Sequence, residues 1–147
     1  MNLRTPSFCL DLTARRVVDN EDWVRVWADA TVGVFSGGVE TYLQLEDLRR
    51  FKDQIAVMHA KVGTPCEAVL FCIEPGIHLD LTSDRLGSIA GRCKLEDELS
   101  GAELSGAFTI DQSYLPELAN SIRELIDALH QPNAVQPFIA ADASGAR

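Results

Sequence analysis

The sequence predicts an α+β fold, a mostly antiparallel sheet of about seven strands with two helices in the order βββαββββα. Two observations lead there. Alternation of apolar and polar residues, the period of a half-buried strand, recurs in short runs such as WVRVWADATV and IHLDLTSD, and twice it gives way to the three-and-four spacing of a helix with one buried stripe. Glycine and proline punctuate the joins. A chain of 147 residues suits one domain with its own core, read as 1–130. The remainder, 131–147, has two prolines, small residues and no periodicity, and reads as a disordered tail.

Taken in order, SFCLDLTARRV places Phe8, Leu10 and Leu12 on one parity and forms the first strand. After the polar VDNED, WVRVWADATV sets Val24, Val26, Ala28 and Ala30 inward and Trp23, Arg25, Trp27 and Asp29 outward. GVETYLQL alternates again, with Val39, Thr41 and Leu43 opposite in parity to Glu40 and Tyr42, so the intervening FSGG reads as a hairpin turn with Gly37 or Gly38 at positive φ. FSGG is not a phosphate loop, since it lacks the lysine of GxxxxGK[ST]. It is not a nucleophile elbow either, since Ser36 is flanked by Phe35.

A helix follows from Glu46, with Leu48, Phe51, Ile55, Met58 and Val62 on its buried stripe, acidic residues at its start, and Gly63 and Pro65 at its end. CEAVLFCIE is apolar on both parities and reads as a central strand covered on both sides or as a strand deep in the core. IHLDLTSD, SIAGRCKL and AELSGAFTID supply three further strands, the last two joined by an acidic connection. The second helix runs through DQSYLPELANSIRELIDALH, with Pro116 in its first turn and Leu118, Ile122, Leu125, Ile126 and Leu129 buried. No sequence repeat relates the parts.

Several function classes are disfavoured. The formal charge of −9 falls unevenly: residues 1–73 hold 10 acidic and 8 basic side chains, residues 74–147 hold 12 and 5. That field repels phosphate backbones, so nucleic acid is not the expected partner, and it attracts a basic protein. No apolar run is long enough for a membrane span, and Ser7 and Asp11 interrupt any leader-like stretch, so the expected location is the cytoplasm. Cys9, Cys66, Cys72 and Cys93 contain no CxxC pair and are expected to be buried free thiols; no cofactor or metal is expected, because His59, His78 and His130 lack metal-binding spacing. An acid–base pair of His78 and Asp80 on one strand face, joined by Arg92 and Ser36 in a small hydrolase or transferase, is the enzymatic alternative. It requires one concave pocket, and none is expected. No catalytic residue is assigned.

The outward parity of the hairpin carries Trp23, Trp27 and Tyr42 beside Arg25 and Glu40. Either another layer of the chain covers these rings or they anchor a partner, and the sequence leaves both open. A homo-oligomer through this face or a sheet edge is a further use of the same surface.

The stretches FSGGVETYLQLEDLRRF and DQSYLPELANSIRELI, with the strand order between them, resemble the WapI-type family of bacterial immunity proteins over about residues 21 to 130. The resemblance implies a cytosolic antagonist that binds and blocks a secreted toxin, in the type case a tRNA-cleaving nuclease domain, without turnover. It brings no set of binding residues. The candidates come from the chain itself: Trp23, Trp27 and Tyr42 as aromatic anchors, and Glu40 with Glu96, Asp97 and Glu98 as the charges that would steer a basic toxin domain.

Overall fold

The structure, a computed structural model, describes residues 1–17 and 22–130. The expected tail 131–147 and most of the VDNED break lie outside the described residues. The elements are β1 (Asn2–Arg4), β2 (Phe8–Val17), β3 (Trp23–Val32), β4 (Phe35–Gln44), α1 (Leu45–Ala60), β5 (Glu67–Phe71), β6 (Ile77–Ser83), β7 (Ser88–Glu96), β8 (Glu103–Asp111) and, after a 3-10 turn at Gln112–Tyr114, α2 (Leu115–His130). The α+β class and the two helices are as expected, but the strands form two antiparallel four-stranded meanders, β1-β2-β3-β4 and β5-β6-β7-β8, rather than one sheet. The additional strand is β1, which pairs with β2 and buries Leu3. The topology is thus ββββα twice over, in a sequence without a detectable repeat.

Alternation explains how the two meanders close on one core. β3 buries Val24, Val26, Ala28 and Ala30, β6 buries Ile77, Leu79 and Leu81, and both helices lay their apolar stripes on the same cluster. Phe8 from the first sheet stacks on Phe108 from the second, with ring centroids 4.1 Å apart, and Gly91 leaves the space that Phe108 occupies. Each helix follows one sheet but packs on the opening strands of the other, α1 against β5 and α2 against β1 and β2.

This crossing seals two sheet edges. The Gln54 side chain of α1 accepts from the backbone N–H of Val69 in β5 at 2.9 Å. Ser121 of α2 bonds both backbone groups of Asn2 in β1, at 3.1 and 3.3 Å. Strand edges left with unpaired N–H and C=O groups invite unwanted pairing, and a helix side chain is one way to blunt them. The other two edges, β4 and β8, have no such cover among the described residues.

Several sequence expectations need correction. The hairpin turn is Gly33–Val34, with Gly33 at φ +60°, and FSGG lies inside β4, where neither Gly37 nor Gly38 has positive φ. CEAVLFCIE supplies an edge strand rather than a central one; Phe71 and Ile73 at its end are exposed. Val62 lies past the end of α1 and is exposed. Among the thiols, Cys72 and Cys93 are buried but Cys9 and Cys66 only half-buried, and all are free. Burial alone pushes the Cys93 thiol up to about 12.

Candidate functional site

The outer face of the first sheet is built around Trp27. Its indole lies flat across Gly38 on the neighbouring strand, where a Cβ would come within 2.5 Å of the ring. A register shift in β2 between Ala14 and Arg16 places Arg15 as the extra residue, and its guanidinium sits 5.6 Å from the Trp27 ring centroid. Beside it, Arg25 lies 5.3 Å from the Tyr42 ring centroid and donates from Nη2 to the Tyr42 hydroxyl at 2.9 Å. Arg25 Nε is 2.8 Å from Glu40 Oε1, a close ion pair whose angle falls short of a hydrogen bond.

These contacts decide what the sequence left open. No other layer of the described chain covers Trp27 and Tyr42; both are half-buried, shielded by arginines and a glycine, and stand outside the core cluster. Trp23 differs, because it packs against the core. Of the predicted partner residues, the structure therefore groups Trp27, Tyr42 and Glu40 in one patch and leaves Trp23 at its margin. Arg25, which parity places on this face, and Arg15, which the sequence reading does not single out, also belong to the patch.

A second feature adjoins that patch across β4. A groove of about 240 Å³ runs between residues 35–39 of β4 and the end of the β7–β8 hairpin, lined among others by Phe35, Val39, Leu104, Glu96, Asp97 and Glu103. Here FSGG meets the acidic connection. Asp97 Oδ2 accepts from the Ser100 hydroxyl at 2.5 Å, which holds its carboxyl below the usual range and fixes the turn. Lys94 spans Glu96 and Glu103 at 3.6 and 3.4 Å, and its ammonium is held above the usual value chiefly by Glu103. Glu98 is exposed at the hairpin tip and is not among the residues lining the groove.

On the outer face of the second sheet, His78 Nε2 and Asp80 Oδ2 are 3.3 Å apart, and both line an open depression of about 540 Å³ with Arg92, Lys94 and Ser105. Three of the four alternative catalytic residues, His78, Asp80 and Arg92, thus share a depression, but the four do not converge on one pocket. Ser36 is absent from the depression and lines the β4 groove instead. The nucleophiles at hand are Ser105, whose hydroxyl bonds Glu103 at 3.0 Å, and the protonated Cys93, so no His–nucleophile pair is assembled. Among the described residues no group of three or more His, Cys, Asp or Glu could hold a metal ion, and no helix is long and apolar enough to cross a membrane.

The sequence model of the immunity protein WapI-like family matches residues 5–130. The chain belongs to that family. The match begins earlier than the resemblance read from motifs and takes in β2, so both ββββα halves are family structure except β1. No curated protein matches. Among solved structures, the chain is similar to WHY1 from Arabidopsis thaliana at 10% identity, covering 100% of this chain and 95% of that one with a TM-score of 0.49. It is also similar to the plant transcriptional regulator PBF-2 at 9% identity, with 88% and 80% covered and a TM-score of 0.44. Similarity of that depth carries no argument about what a WapI-like chain binds. Family membership supports an immunity function in general, a toxin as partner and a non-catalytic role.

Proposed function

We propose that this WapI-like protein acts in the cytoplasm by binding a basic toxin domain, of which a tRNA nuclease is the leading case, and blocking it sterically without turnover. The observation that carries the proposal is the family match over both halves of the fold. The site geometry supports it. Trp27 and Tyr42 are large rings on a sheet face that no other layer of the described residues covers, and rings of this kind beside arginines are the usual anchors of protein interfaces. The formal charge of −9 would speed encounter with a basic partner and oppose binding to RNA itself.

Co-expression with the toxin domain encoded beside the gene tests the reading. Growth rescue and an isolable one-to-one complex are expected. If no adjacent toxin-like domain is neutralised or bound, the immunity reading fails for this chain.

A further inference from the structure

FSGG poses a question that the fold answers only in part. Gly33 is required by the turn and Gly38 by the Trp27 ring, but Gly37 is required by neither. Its φ is not positive, and a Cβ there would meet only Leu104, at an ordinary 3.8 Å. A glycine without a structural reason inside a strand commonly marks a place where another backbone comes close. The missing side chain faces the groove between β4 and the β7–β8 hairpin.

Strand geometry supplies the second observation. The two-residue turn makes Val32 and Phe35 a hydrogen-bonded pair, so residues 37 and 39 also bond to β3. The N–H of Gly33 bonds Ser7 on the opposite side, which fixes the same phase. The N–H and C=O groups of Ser36, Gly38 and Glu40 therefore point away from the sheet, at an edge where all three residues are exposed. Ser121 and Gln54 bond backbone groups at the corresponding edges of β1 and β5; among the described residues no side chain does so here.

We infer that the open edge of β4 is a docking rail for an extended, basic segment of the partner, which adds as a fifth strand to the first sheet. This rests on the toxin-binding reading and gives it a mode. Alternate side chains of such a strand would face opposite ways. On one side they meet Leu104 and Phe35, at a rim formed by Glu96, Asp97 and Glu103; on the other they lie beside Trp27 and Glu40. Lys94 offsets one charge of Glu96 and Glu103, and with Asp97 the groove rim keeps an excess of negative charge that favours lysine or arginine on that side. That excess also disfavours a second copy of this acidic chain as occupant.

The test uses the purified toxin domain encoded beside the gene, titrated against intact variants. Ser36→Pro removes one outward N–H while leaving the β3 ladder bonds in place, and Gly37→Val fills the groove mouth. Each is expected to weaken binding at least about tenfold, with Ser36→Ala unchanged, because a backbone rail does not use the hydroxyl. Amide exchange of the wild type should show residues 36, 38 and 40 exchanging freely alone and protected in the complex. Wild-type affinity in both Ser36→Pro and Gly37→Val, or unprotected amides in the complex, overturns the rail and leaves the immunity reading standing. A free protein that dimerises with those same amides protected gives the edge to a second copy and overturns it too. Failure of the wild type to bind the toxin removes the immunity reading and the rail together.

Discussion

The two sheets share a topology and differ in what their outer faces carry. On the first, Trp27 and Tyr42 lie under the guanidinium groups of Arg15 and Arg25, with Glu40 closing the patch. On the second, His78 and Asp80 pair beside Arg92 on an open polar surface. Inner faces must satisfy the same core, which explains why two dissimilar sequences reach one architecture. Outer faces answer to no such demand, so the arginine-shielded rings of the first are the better sign of a use outside the fold. The edges teach the same lesson. Polar side chains of the crossing helices bond the edges of β1 and β5, and β4, beside an acidic groove, has no such cover among the described residues.

The comparison can be broken most severely at its shared core. Phe108→Ala removes one ring of the stack that joins the sheets, and a loss of about 3–5 kcal/mol is expected in denaturant unfolding. If the sheets were instead loosely associated, the loss would be small and the unfolding transition would broaden. Next come the sealed edges. Gln54→Ala and Ser121→Ala each leave part-buried backbone groups without a partner, and each should cost about 1–2 kcal/mol. Equal losses would sharpen the claim that the halves solve the edge problem alike; a loss at one only would confine the claim to that helix.

A smaller effect is expected with pH. Burial holds the folded Cys93 thiol at about 12, against its ordinary value of 9.0 in the unfolded chain, so the unfolded state loses its proton first on going alkaline. Its contribution to stability is full below about pH 9 and declines as the pH rises through the window up to about 12. Cys93→Ala should flatten that decline in thermal melts between pH 8 and about 11. In the native protein at pH 8, Cys9 and Cys66 should react with an alkylating reagent well before Cys93.

Much of this was legible from sequence because period two and period three-and-four are imposed by burial itself. The inward residues of β3, β6 and β7 and the stripe of α2 follow directly. The turn was not legible for a specific reason. The opposite parities of Val24–Ala30 and Val39–Leu43 fit a turn at 33–34 and one at 36–37 equally well, since the two registers differ by an even number of residues. The positive φ of Gly33 and the packing of Trp27 on Gly38 separate them, and both belong to the folded structure. The split into two sheets was hidden likewise. CEAVLFCIE is apolar on both parities, so the sequence does not state which face of β5 is buried or whether a strand or a helix lies at its edge, and Gln54 of α1 takes that place. At the candidate site, Trp27, Tyr42 and Glu40 were found by parity, whereas Arg15 depends on a bulge that no parity rule foresees.

The central claim, that the first sheet's outer face meets the partner and the second's does not, comes down to one calorimetric comparison. The adjacent toxin domain is titrated into Trp27→Ala and Arg92→Ala, with each variant's melting temperature recorded. Trp27 is half-buried, so its loss should cost about 1–2 kcal/mol of stability and leave the protein folded. Binding by Trp27→Ala should weaken by at least about 2 kcal/mol, roughly thirtyfold, while Arg92→Ala stays within about threefold of wild type. Wild-type affinity in a folded Trp27→Ala, or a large loss confined to Arg92→Ala, would contradict the account and move the interface to the second sheet.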